Sequence, residues 1–323
     1  MRRGLVLGKF LPYHSGHAHL IRTARASVDE LTVLVCSIQR ETIDGAIRYA
    51  WVRSSHPDCH VVHVAEEVPQ APDEDPRFWP IWVDLIRRYA GEVDVVFTSE
   101  SYGDELAARL GAAHVCVDQA RTKVPVSGTA IRSDPMANWE FIPPLVRPWF
   151  VRRVAILGAE STGKTTLAER LAGVFETAWV PEYGREYCEG MDARDLVLAD
   201  FDAIGRGQIK VEEEAASKAN RVLICDTELL TTCTWSDMIV GARPGWLDAQ
   251  ARRQRYHLVL LLGDDVPWIN DGTRVLGERR TEHTRRLRAA LEEARQPYVE
   301  LRGSFEDRLQ DAIARVQALR APS

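Results

Sequence analysis

The chain has 323 residues, 45% hydrophobic and 27% charged, the make-up of a water-soluble globular protein long enough for two ordinary domains. Its net charge of −6 divides evenly, with 16 basic against 19 acidic residues in 1–150 and 25 against 28 in 151–323, so no basic half points to nucleic acid. Six cysteines without a C-x-x-C pair imply no metal or disulfide framework. No leader and no apolar stretch of the roughly 20 residues needed to span a membrane are seen, so the cytoplasm is the expected compartment.

Apolar runs at residues 5–7, 31–35, 60–64, 93–97 and 114–117 predict strands, with helical period between them. Short apolar strands alternating with helices predict an α/β fold whose parallel sheet is covered on both faces. The first run ends in Gly8-Lys9-Phe10-Leu11-Pro12-Tyr13-His14-Ser15-Gly16-His17, ahead of a helical stretch at 18–26. Ligands of open parallel sheets bind at such strand ends, where helix N-termini turn free N–H groups toward anions. Gly16 lets a phosphate approach, His14 and His17 offer imidazole donors, and Lys9 adds a mobile charge.

Residues 69–80, rich in Pro and Asp, read as a surface loop that runs into Trp79 and Trp82 at i and i+3. Two readings stay open for the pair: core packing on a helix face, or a ring that stacks on a planar cationic ligand. Further on, Ser127-Gly128-Thr129-Ala130-Ile131-Arg132 is a small, hydroxyl-rich turn into a helix with a basic residue one turn in. Alone it reads as a capped helix start or a second phosphate cradle. Together the two motifs resemble those of the nucleotidyltransferase superfamily, H-x-G-H early and S-G-T-x-I-R late. The resemblance implies ATP as adenylyl donor, bound through Gly8, Lys9, Phe10, His14, His17, Ser127, Gly128, Thr129 and Arg132. Class I aminoacyl-tRNA synthetases share such a histidine motif, but the lysine-rich loop they add has no match here.

Three prolines within residues 143–148 mark a linker, read as 143–149 between a first domain at 1–142 and a second at 150–323; a loop inside one large domain is the alternative. Strands are predicted again at 154–157, 178–180, 222–225, 258–262 and 298–301. Gly158-Ala159-Glu160-Ser161-Thr162-Gly163-Lys164-Thr165-Thr166 follows the first of these as a P-loop. Its backbone N–H groups would cradle phosphates, Lys164 would reach the β and γ oxygens, and Thr165 would hold Mg²⁺. Asp226, at the end of the run 222–225, is the carboxylate expected on the magnesium through water. Pro181-Glu182-Tyr183-Gly184-Arg185-Glu186 offers Glu182 as a base on a sugar hydroxyl, or as an acid at a helix start. Arg274, Arg279 and Arg280 lie in a polar stretch at 271–286, either a lid over the γ-phosphate or a solvated helix.

Taken together, the motifs resemble the bifunctional nicotinamide-nucleotide adenylyltransferase and ribosylnicotinamide kinase family of NadR type over nearly the whole chain. Besides the motifs above, the W-x-x-W pair and Pro267-Trp268-Ile269-Asn270-Asp271-Gly272-Thr273-Arg274 carry it. The resemblance implies a Rossmann-like nucleotidyltransferase domain followed by a P-loop kinase domain, both on parallel sheets. It implies nicotinamide riboside, NMN, ATP and NAD as ligands, ATP as substrate and Mg²⁺ as cofactor. It puts Tyr183, Arg185, Trp268 and Asn270 around the riboside beside Glu182, and Trp79 and Trp82 around NMN. Some family members begin with a helix-turn-helix repressor domain; here the first strand starts close to Met1, and DNA binding is not carried over. A nucleotide sensor with one degenerate site is the competing reading, and homo-oligomerisation is left open.

Overall fold

Each apolar run becomes a strand, five to each of two parallel sheets, in the computed structural model, which describes residues 1–192, 195–266 and 279–320. Packing divides the chain into two units, Met1–Val146 and Arg147–Ser323.

In unit 1 the strands are β1 (Arg3–Gly8), β2 (Glu30–Cys36), β3 (His60–Val64), β4 (Val95–Thr98) and β5 (Ala113–Cys116), in the order β3-β2-β1-β4-β5. The helices are α1 (Ser15–Arg25), α2 (Gly45–Ser55), α3 (Phe78–Ala90), α4 (Gly103–Leu110) and α5 (Gly128–Ser133). The chain builds outward from β1 to β3, then crosses to β4 and β5. The order therefore reverses between β1 and β4, where an open sheet leaves a crevice at its carboxyl edge. Leu5, Leu34, Val64 and Val96 pack under Leu85 and Ile86 of α3 and Leu106 of α4. Burying each such side chain contributes about 1.5–3 kcal/mol. The expectation of strands covered on both faces fails at β5, where Ala113, Val115 and Cys116 are exposed because the strand forms the sheet edge.

Unit 2 has β6 (Arg152–Gly158), β7 (Trp179–Val180), β8 (Val222–Asp226), β9 (Leu258–Leu262) and β10 (Val299–Leu301), in the order β10-β9-β6-β8-β7. Its helices are α6 (Arg147–Phe150), α7 (Lys164–Phe175), α8 (Tyr183–Tyr187), α9 (Leu198–Ala216), α10 (Leu229–Ile239), α11 (Gly245–Arg253), α12 (Arg280–Glu293) and α13 (Phe305–Arg320). The central strand β6 is buried from Val154 to Leu157, against Leu167 and Leu171 of α7 and Leu309 of α13. The proline-rich stretch is a turn, with Val146 N–H donating to Pro143 O at 2.8 Å, and then one helical turn. Pro148 fits the first turn of α6 because the N–H it lacks would have no helical partner there. The polar stretch read at 271–286 is helical from Arg280 onward, and α12 buries His283, Thr284 and Leu287.

Candidate active sites

The first site grows from the end of β1. His14 is extended (φ −147°, ψ 173°) and caps α1, its Nδ1 accepting from Gly16 N–H at 3.1 Å. A β-carbon on Gly16 would lie 2.9 Å from the His14 ring, so glycine is needed for this cap. Since Nδ1 accepts, the proton of neutral His14 sits on Nε2. The His17 ring stacks on His14 at 3.8 Å, and Phe10 meets His17 edge-on at 4.9 Å. Burial, with Arg121 adding its charge, lowers His14 to about 4. Burial, with His14 and Arg121 nearby, holds His17 well below its ordinary value. Both rings are therefore neutral at pH 7, each carrying one N–H and no positive charge.

The late motif closes on this turn from 121 residues away. Ser127 caps α5 by accepting from Ala130 N–H at 3.1 Å. Arg132 donates through Nη1 to Leu11 O and through Nη2 to Thr129 Oγ1 at 3.2 Å. Gly128 lies so close to Leu11 that a β-carbon would sit 2.6 Å from its carbonyl oxygen. Between the motifs opens a cavity of about 580 Å³, the size of a small-molecule site. Its wall includes Gly8, Lys9, Phe10, His17, Ser127, Gly128, Thr129 and Arg132. His14 is 5% exposed and stands behind His17 rather than on the wall.

Trp79 and Trp82 bear out the core-packing reading, both packing on the core cluster of unit 1, and both also stand on the cavity wall. Trp82 Nε1 donates to Pro69 O at 2.9 Å, while Arg109 lies 5.2 Å from the centre of the Trp79 ring.

Three residues around this cavity escaped the sequence reading. Arg121 reaches the wall from a loop shaped by Asp118, whose carboxylate accepts from the N–H groups of Thr122, Lys123 and Val124. Arg48 is fully buried on α2 and donates to the carbonyls of Ile43 (2.9 Å), Lys9 (2.5 Å) and Cys36 (3.4 Å), tying the ends of β1 and β2 together. Glu41 pairs with Arg48 at 2.5 Å and with Lys9 at 3.1 Å. Lone charged residues give no sequence signal of this kind, because most of them stand in solvent.

In unit 2 the loop after β6 turns through Gly158 (φ 154°), Ser161 (φ 59°) and Gly163 (φ 90°). Gly163 has no room for a β-carbon beside the Phe305 ring. Thr162 is fully buried and its hydroxyl donates to Ala159 O at 2.8 Å, so the side chain braces the loop and its backbone N–H is what remains for a ligand. Lys164 Nζ donates to Ala159 O at 3.2 Å. Thr165 Oγ1 donates to Asp226 Oδ2 at 2.6 Å, which brings together the two residues expected at a magnesium ion. Asp226 is 1% exposed; burial pushes its carboxyl up to about 6, against the pull of Lys164, with Glu182 adding repulsion. Its second oxygen, Oδ1, has no hydrogen-bond partner among the described residues.

Glu182 stands at the start of α8 without capping it and lies 3.8 Å from Arg185. The Tyr183 ring packs so closely on Gly207 of α9 that no β-carbon would fit there, and the Tyr183 N–H donates to Gln208 Oε1 at 2.9 Å. Arg279 donates to Met238 O at 3.1 Å and Glu282 at 3.0 Å, and Arg280 donates twice to Val266 O at 3.2 Å. Both are engaged at the N-terminus of α12 by these bonds. Trp268, Asn270 and Arg274 lie outside the described residues. A fourth unforeseen residue is Arg308 of α13, 2% exposed, which donates to Thr162 O (3.1 Å) and Gly263 O (3.2 Å) and pairs with Asp265 at 2.6 Å. It braces the P-loop as Arg48 braces the end of β1. Among the described residues no helix is long and apolar enough to cross a membrane, and no cluster of three metal-ligating side chains occurs.

Comparison with known proteins assigns the two units separately. Residues 5–134 match the cytidylyltransferase-like family and residues 153–308 match an AAA domain family. The trifunctional NAD biosynthesis/regulator protein NadR of Escherichia coli is 34% identical over 296 residues, 85% of this chain and 72% of that protein. The nicotinamide-nucleotide adenylyltransferase of Methanosarcina barkeri is 29% identical over 153 residues, 45% of this chain and 84% of the relative. A solved structure of NadR protein in complex with NR superposes with a TM-score of 0.83 at 23% identity, covering 100% of this chain and 97% of that one, which shows the shared fold.

Proposed function

The chain belongs to the NadR family of NAD biosynthesis proteins, and on that premise we propose how its two units divide the work. It is a transferase with nicotinamide-nucleotide adenylyltransferase and ribosylnicotinamide kinase activities. Unit 1 transfers AMP from ATP to NMN, giving NAD and pyrophosphate, and unit 2 phosphorylates nicotinamide riboside to NMN. The observation that carries the assignment is the pair of dissimilar phosphate sites, one in each unit: a cavity with stacked neutral histidines between two distant motifs, and a P-loop joined to a buried carboxylate.

In unit 1 the acceptor phosphate is already an anionic nucleophile and needs no general base. The NMN oxygen attacks the α-phosphorus as the bond to the pyrophosphate oxygen breaks. His17, with His14 behind it, Lys9, Thr129 and Arg132 supply donors to the charge that grows on the triphosphate; catalysis is positioning and charge stabilisation. A tryptophan of the Trp79/Trp82 pair takes the nicotinamide face.

In unit 2 the backbone of residues 158–164 holds the ATP phosphates and Lys164 swings from Ala159 O to the β and γ oxygens. Glu182 accepts the proton of the riboside's primary hydroxyl, whose oxygen takes the γ-phosphoryl group while ADP leaves. The unpartnered Asp226 Oδ1 and the Thr165 hydroxyl form an all-oxygen donor pair that suits Mg²⁺, which would neutralise phosphate charge when bound. The free cysteines agree with a reducing cytoplasm.

The test is to give the purified chain ATP and Mg²⁺ with either NMN or nicotinamide riboside, and to separate the products by chromatography. NMN should yield NAD and pyrophosphate; riboside should yield NMN and then NAD. Absence of both products overturns the proposal, and loss of one alone withdraws the corresponding unit's assignment.

A further inference from the structure

We infer that Glu41 is a positioning residue for adenylyl transfer: its carboxylate holds the Lys9 ammonium on the cavity wall by an ion pair, with the ammonium's donors left for the triphosphate. The inference rests on the reading of Lys9 as a triphosphate ligand.

Glu41 lies in the connection between β2 and α2, and only 6% of its side chain is exposed. One oxygen, Oε1, is 3.1 Å from Lys9 Nζ. The other, Oε2, is 2.5 Å from Arg48 Nη2 and accepts from Ile38 N–H at 3.2 Å. Arg48 in turn is fixed by three carbonyls, one of them that of Lys9 itself. The buried Glu41–Arg48 pair therefore grips Lys9 at both ends, backbone and ammonium. An ordinary lysine tip on a strand end would sample many rotamers and lose that freedom on meeting its ligand. Here the tip is already placed, and 44% of the side chain remains open toward solvent and cavity.

The arithmetic of donors and charge fits this use. The Lys9–Glu41 contact is an ion pair without hydrogen-bond geometry, so the N–H groups of the ammonium stay free to turn toward phosphate oxygens. A carboxylate beside a triphosphate site would repel its ligand unless its charge were matched. Glu41 is matched twice, and the Lys9–Glu41–Arg48 group keeps one net positive charge.

The competing explanation is that Glu41 serves only as the counter-ion of Arg48. A double-mutant cycle on the full chain separates the two, using wild type, Lys9→Met, Glu41→Gln and the double variant. Each is assayed for adenylyl transfer from ATP to NMN, with kinase activity and thermal melting as controls. Glu41→Gln should lower kcat about tenfold with KM for ATP within about threefold, the signature of a misplaced group. On top of Lys9→Met the same change should do nothing more. If it lowers kcat by the same factor with and without Lys9→Met, or leaves wild-type kcat unchanged, the inference is overturned. If Lys9→Met is itself harmless, the reading of Lys9 as a triphosphate ligand is what fails. Should Glu41→Gln not fold, Glu41→Asp keeps a charge against Arg48 while drawing back from Lys9, and the same cycle applies.

Discussion

Unit 1 presents its phosphate site with side chains, and unit 2 with backbone. Around the cavity, His17, Lys9 and Arg132 come from segments more than a hundred residues apart, and Arg132 closes the gap by donating to Leu11 O. Around the P-loop the donors are consecutive N–H groups, set by positive φ at Ser161 and Gly163. A side-chain site has to be assembled by the fold, whereas a loop carries its geometry in local sequence. Yet both need a brace, and both use a buried arginine bonded to the carbonyls at the strand ends.

The braces give the largest expected effect and the sharpest test of that parallel. Arg48→Met should lower the stability of unit 1 by about 3–5 kcal/mol, because Glu41 is left buried with its main partner gone. Arg308→Met should cost unit 2 less, toward the low end of that range, since Asp265 is 31% exposed and water can take over its charge. Denaturant unfolding followed through each unit's own activity would report both. Equal losses would mean that the orphaned carbonyls, not the stranded carboxylates, set the cost.

Next in size are the reciprocal losses of activity. Lys164→Ala should lower the kinase about 10²–10³-fold and spare adenylyl transfer, and His17→Ala should do the reverse, each change removing one donor worth about 2.7–4 kcal/mol. Assaying both reactions in both variants checks this. A variant that silences both reactions would contradict the division into two independent sites.

How far the sequence could be read follows the same contrast. The P-loop and the apolar strands were legible because each is a local pattern, and all ten runs form strands. Half of the unit 1 site was legible too, through His14, His17 and the turn at 127–132. What escaped were Glu41, Arg48, Arg121 and Arg308. A charged residue in sequence looks the same whether it ends in solvent or in the core; only the tertiary packing that buries Arg48 on α2 decides. The exposure of β5 escaped for a related reason, since a strand's apolar run does not say that it will be the edge.

Acid should affect the two sites with opposite sign. His14 titrates near 6.5 when unfolded and about 4 when folded, so the unfolded chain binds more protons between those values. Its contribution to unit 1 is complete above pH ~6.5 and is lost as pH falls toward ~4. Asp226 goes from 3.8 unfolded to about 6 folded, so the folded state holds the extra proton; unit 2 loses stability as pH rises through that window. Each shift corresponds to about 3 kcal/mol. His14→Asn, which retains an acceptor for Gly16 N–H, should therefore stabilise unit 1 relative to wild type at pH 4 more than at pH 7. Asp226→Asn should stabilise ligand-free unit 2 at pH 7 and make no difference at pH 4. Stability differences between variant and wild type that do not change with pH would show that these groups are not buried as described.

The smallest effect separates the two tryptophans. Both belong to the core cluster and to the cavity wall, but their other contacts differ. Trp82 is tethered through Nε1 to Pro69 O, which turns the indole into a strut between α3 and the preceding loop. Trp79 is not tethered in that way, and Arg109 already lies against its ring, 5.2 Å from the centre, in the place of a cation. Arg109 occupies one face of that ring, so a nicotinamide stacked on this pair would use Trp82 or the opposite face of Trp79. Trp82→Ala should then lose the tether and packing, and melt lower. Trp79→Ala should lose NMN affinity by about 0.5–2 kcal/mol, roughly two- to thirtyfold, if its free face does the stacking. Trp79→Phe should recover most of this, because a smaller ring still offers a π face. Binding of NMN by calorimetry, set beside melting of the same three variants, decides between them: an affinity loss that follows Trp82 alone would assign the stacking to the strut and leave Trp79 to the core.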